Sequence, residues 1–135
     1  ENGTRVVYVW YMGDDKIDWD VCETARYLAK AGKDAFLWGP SVLEFMELGD
    51  VGEPGFYIAV PTRRYPQLSV KWVVTKKKTR SKYKGMPIQS LKDAIVSSMP
   101  MLDDDKRRTV LDDAAQRYPK IKVFLRKVGA EYGIE

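Results

Sequence analysis

The chain contains no histidine and one cysteine, Cys22. The first absence removes the commonest general base and the commonest metal ligand together, which rules out serine or cysteine nucleophile chemistry with a His partner. The second excludes an intrachain disulfide and a cysteine-based zinc site, and makes a reducing compartment the simpler expectation. No apolar run approaches the roughly 20 residues of a bilayer-spanning helix. Glycine-rich phosphate cradles of the G-x-G-x-x-G or Walker type are missing, and Gly39-Pro40-Ser41 is too short to replace one. There is no internal repeat and no Ser/Gly-rich linker. The chain starts at Glu1 without a basic-then-apolar leader, so a processed chain or a piece of a longer one is expected. Asn2-Gly3-Thr4 matches the glycosylation sequon, a three-residue pattern common by chance.

One further absence is the most informative. Residues 54–92 hold ten Lys/Arg and no Asp or Glu, whereas residues 1–53 hold 5 Lys/Arg against 11 acids and residues 93–135 hold 8 of each. The overall +4 therefore hides segments of −6, +10 and zero. Thirty-nine residues with no acid cannot neutralise themselves locally, so their cations face water, another part of the fold or an anionic partner.

What is present fits one domain. The chain has 135 residues, 44% of them hydrophobic, enough for a single core over residues 1–135, with 101–135 as a candidate helical appendage. Arg5 to Met12 is a β-branched and aromatic run, apolar on both faces, that predicts a central strand. Asp20 and Glu23 have capping-box spacing ahead of a helical stripe of Val21, Cys22, Ala25, Leu28 and Ala29, which Gly32 stops. Ala35 to Trp38 predicts a second strand. Ser41 and Glu44 repeat the capping spacing for a short helix, and Phe56 to Val60 gives a third strand ended by Pro61. Alternation of this kind predicts an α/β fold: a β-α-β-α-β core with a mostly parallel sheet of four to five strands. Leu68 to Thr75, with Lys71 among apolar residues, adds a basic edge strand; Lys76 to Lys84 is a cationic loop or hairpin tip. Ser90 with Asp93, and then Asp103 to Asp105, start two C-terminal helices, and Pro119 separates off a last one.

Four constellations carry possible chemistry. In the basic segment, Arg63, Arg64, Lys71, Lys76, Lys77, Lys78, Arg80, Lys82 and Lys84 are interleaved with Tyr65, Trp72 and Tyr83. Cations neutralise phosphates and aromatic rings stack on bases, which predicts nucleic-acid binding, RNA or DNA. The plainer alternative is lysines that protect an edge strand and a loop tip, with Trp72 and Tyr65 in the core. Lys77-Lys78-Thr79-Arg80 also fits a short nuclear-import pattern, so a cytoplasmic location is expected with a nuclear one as the alternative.

The second constellation, Asp14, Asp15, Asp18 and Asp20, follows the first expected strand. Asp14 and Asp15 could hold a hard cation such as magnesium, although capping by Asp18 and Asp20 explains half of the cluster without a metal. In the third, Arg63 and Arg64 after Pro61-Thr62 could clamp a phosphate or carboxylate, or simply pair with Asp14. The fourth is the basic last helix with Lys120, Lys122, Arg126 and Lys127, whose proline-containing join differs from a helix-turn-helix. Polyanion binding ranks first among the functions. Self-assembly or protein interaction, pairing the acidic N-terminal part with the basic segment or with an acidic protein surface, ranks second. A magnesium-dependent phosphoester enzyme ranks third, since no catalytic motif accompanies the aspartates.

Overall fold

The computed structural model describes residues 19–52 and 55–134. The expected strand Arg5–Met12, the sequon and the carboxylates Asp14, Asp15 and Asp18 lie outside the described residues. Helix α1 (Trp19–Ala31) leads to β1 (Phe36–Leu37), α2 (Pro40–Phe45), β2 (Phe56–Val60), β3 (Val70–Val74), β4 (Ser81–Tyr83) and β5 (Met86–Ile88). Three helices follow, α3 (Leu91–Ser98), α4 (Asp104–Arg117) and α5 (Lys122–Glu131), joined by short 3-10 turns at Met99–Met101 and Pro119–Ile121.

The local signals act where their chemistry allows. Gly32 takes φ 109°, a left-handed position that closes α1. The Ser90 hydroxyl accepts from the Asp93 amide at 3.3 Å and caps α3, and Asp103 accepts from the Lys106 amide at 2.9 Å to cap α4. Each such cap is worth about 1 kcal/mol. Ser41 behaves differently from its expected role. Helix α2 starts at Pro40 behind Gly39, and the buried Ser41 hydroxyl instead accepts from the Tyr57 amide at 2.7 Å, pinning α2 to β2.

Among the described residues the architecture is α/β with an open five-stranded sheet in the order β3-β2-β1-β5-β4. The sheet is mixed, which corrects the expectation of a mostly parallel one. Pairs β1/β5 and β2/β3 are parallel, while β1/β2 and β4/β5 are antiparallel. The reason lies in α2. Its six residues rise only about 9 Å, and left-handed residues at Glu47, Gly49 and Gly52 then turn the chain. It re-enters the sheet at the end it left, so β2 runs against β1. Strand β3 is an edge, as expected. The expected loop 76–84 is divided: its second half is β4, paired with β5 across a tight turn in which Lys84 and Gly85 take φ 51° and 81°, the positive values that a two-residue hairpin turn requires.

Strand residues that pair share a face, which sorts the sheet into two sides. Leu37, Ile58, Val60 and Ile88 lie on the side packed by helices, and all are buried. There Tyr27 of α1 stacks on Phe56 at 4.5 Å, and Phe45 of α2 meets Tyr83 edge-on at 5.6 Å. Fully burying a Leu or Ile contributes about 1.5–3 kcal/mol, so this side dominates stability. One core cluster joins Val21 and Leu28 of α1 to Val110, Leu125 and Ile134 of the C-terminal region. On the opposite side Phe36 pairs with Ala59 and Ala59 with Val73. Phe36 and Ala59 are buried there too.

Candidate nucleic-acid interface

The chain leaves β3 at one edge of the sheet and enters β4 at the other. The connection 75–80, which carries Lys76, Lys77, Lys78 and Arg80, must therefore cross three intervening strands. It does so against the side opposite the helices. Together with Phe36, Trp38 and Val73 below, and Asp93 and Ser97 of α3 at the rim, it bounds a crevice of about 470 Å³. Thr79 anchors the crossing segment: its hydroxyl donates to the Ile88 carbonyl and accepts from the Ser81 amide. Gln89 anchors the rim, accepting from the Gly39 amide at 2.8 Å and donating to the Ser97 hydroxyl at 3.0 Å.

A row of side chains crosses the same face. Trp38 follows β1 and donates its amide to the Tyr57 carbonyl at 3.0 Å, and Tyr57 pairs with Lys71 in the parallel register. The Trp38 and Tyr57 rings lie 6.0 Å apart, tilted by 34°. The Lys71 ammonium sits 5.0 Å from the Tyr57 ring centre and donates to its hydroxyl at 3.3 Å, within cation–π range. Lys82 pairs with Pro87 and falls on this face as well, because its neighbours Ser81 and Tyr83 belong to the helix-packed side. Among the described residues, no carboxylate lies within ion-pair distance of Arg63, Arg64, Lys71, Lys76, Lys77, Lys78, Arg80 or Lys82; an ion pair elsewhere, Arg107 with Asp104 at 3.0 Å, is within α4.

Lys71, Lys77, Lys78, Arg80 and Lys82 are thus brought to one face, and Lys76 is exposed on the segment that crosses it. The rest of the segment goes elsewhere. Trp72 alternates to the helix-packed side, where its ring nitrogen donates to the Tyr65 carbonyl at 3.0 Å and the Arg64 guanidinium lies 5.8 Å from the ring centre. Tyr83 is also on that side, between Phe45 and Arg117, with the Lys84 ammonium 5.8 Å from its ring centre. Arg63 and Tyr65 occupy the link 61–69, Tyr65 with 92% of its surface exposed.

Two aromatic residues of this face were not singled out by sequence: Trp38 and Tyr57. Both sit in short apolar runs that read as core, and neither is near a cation in the chain. The available signal was alternation, since Lys71 and Trp72 are adjacent in one strand and must point to opposite sides. The basic helix α5 presents a separate cationic surface, with Lys120, Lys122, Arg126 and Lys127 all exposed. Among the described residues, no helix is long and apolar enough to cross a membrane. No protein family, curated protein or solved structure matches this chain.

Proposed function

We propose that this protein binds nucleic acid through the sheet face crossed by residues 75–80, with Lys71, Lys77, Lys78, Arg80 and Lys82 contacting phosphates and Trp38 and Tyr57 offering ring surface. One observation carries this reading: cations that lack a described carboxylate partner lie on the same face as a paired Trp and Tyr. Lysines that only protected an edge strand would not need aromatic neighbours on their own side. Neutralised phosphates release counterions and supply salt-sensitive affinity, while rings add sequence-tolerant stacking. Arg63 and Tyr65 lie on the β2–β3 link away from the centre of this face, and Arg64 sits against Trp72 on the helix-packed side, outside the proposed contact area. Cytoplasm or nucleus is where such a function would be exercised.

The test is charge reversal on the crossing segment. A Lys77→Glu, Lys78→Glu, Arg80→Glu variant should lose binding to a fluorescent 12-nucleotide oligomer while keeping its circular dichroism spectrum and melting temperature. Undiminished affinity in a folded variant would reject the interface. Salt-dependent self-association of nucleic-acid-free protein, abolished by the same variant, would instead assign this face to assembly.

A further inference from the structure

Resting on the nucleic-acid reading, we infer that the crevice beneath residues 75–80 receives one unpaired base, so that the protein selects single-stranded over duplex nucleic acid. The cations of this face do not line a flat surface. The exposed Lys77, Lys78 and Arg80 line a concavity of about 470 Å³ together with Phe36 and Trp38, a size within the range of about 300–1,000 Å³ usual for small-ligand sites. Phosphate contact alone needs neither depth nor an aromatic lining. In a duplex the base faces are covered by their neighbours and the Watson–Crick edges by their partners, so a ring inside a crevice cannot reach them. An unstacked base of a single strand can enter, lie against the half-buried Trp38, and leave its flanking phosphates at those cations.

The polar groups of the rim suit a base edge. Asp93 is the one carboxylate among the described residues of the lining, and a carboxylate accepts hydrogen bonds from the exocyclic amino groups of cytosine, adenine or guanine, which uracil and thymine lack. Ser97 already accepts from Gln89, which leaves its hydroxyl hydrogen to donate to a base carbonyl or ring nitrogen.

The experiment compares a labelled 12-nucleotide single strand of mixed sequence with a 12-base-pair duplex at fixed salt, for the parent protein and for Trp38→Leu and Trp38→Phe. The single strand should bind at least tenfold more tightly than the duplex. Trp38→Leu should weaken single-strand binding about 5- to 150-fold, the range expected for one lost stacked base, narrow the preference for strand over duplex, and be largely rescued by Trp38→Phe, which restores a ring. Equal affinity for strand and duplex with no effect of Trp38→Leu overturns the inference while leaving the phosphate-binding face intact. Absence of salt-dependent binding to either form removes both. Matched melting curves for the Leu and Phe variants separate lost stacking from lost fold, and failure of Trp38→Phe to rescue a folded protein also counts against the base pocket.

Discussion

The salt dependence of binding can be calculated from the face itself. Five cations, Lys71, Lys77, Lys78, Arg80 and Lys82, share it and lack a described carboxylate partner. If each neutralises one phosphate of a single strand, log K falls with log salt at a slope of about −3.5, which is about a hundredfold loss of affinity between 50 and 200 mM salt. Replacing Lys77, Lys78 and Arg80 by Ala removes three of these contacts, so the slope should fall to about −1.4 and the same salt change should cost only about sevenfold. Fluorescence anisotropy of a labelled 12-nucleotide strand, titrated at four salt concentrations between those limits, measures both slopes. The control is a Lys122→Ala, Arg126→Ala, Lys127→Ala variant on α5, which should keep the parent slope because those residues lie outside the proposed face. An unchanged slope in the crossing-segment variant, or an equal reduction in the α5 variant, would refute the assignment of phosphate contacts to this face.

Two further outcomes test the scaffold. Gly49→Ala should destabilise the protein by about 2–5 kcal/mol, combining left-handed strain with overpacking: Gly49 has φ 69°, and an added Cβ would come within 2.7 Å of a Val110 methyl. A thermal melt within a degree of the parent would contradict this. Thr79→Val removes the hydroxyl that joins the crossing segment to the Ile88 carbonyl and the Ser81 amide; a loss of about 1–2 kcal/mol is expected in urea unfolding, because two partly buried backbone groups lose a partner. Identical unfolding midpoints would show that the hydroxyl anchors nothing.

Much of the fold was legible where the controlling interaction is local. Ser90 caps the helix it was expected to cap, the acids expected on the first turn of α4 are Asp104 and Asp105 with Asp103 one position ahead as its cap, Gly32 ends α1, and Pro119 breaks the C-terminal helix into a 3-10 turn and α5. The run Phe56–Val60 is a strand from end to end, and the runs Ala35–Trp38 and Leu68–Thr75 contain strands shorter at their ends than the apolar pattern. Ser41 shows the limit. Its capping-box spacing was real, yet Gly39 takes the cap position two residues earlier, and the hydroxyl found a better partner in an amide sixteen positions away.

Composition and short-range spacing by themselves determined that the chain builds an α/β fold without histidine chemistry and that its middle third carries uncompensated positive charge. These follow from residue identity and from interactions spanning three or four positions, which are present in the chain before it folds. Only the tertiary structure decided that β2 returns antiparallel to β1, that the lysine-rich connection crosses the sheet from edge to edge, and that Tyr57, itself paired with Trp38, rather than Trp72 or Tyr83 stands beside Lys71. Which strands pair, and which side each alternate residue then faces, depends on contacts between segments far apart in sequence, and period-two alternation alone leaves the two sides interchangeable.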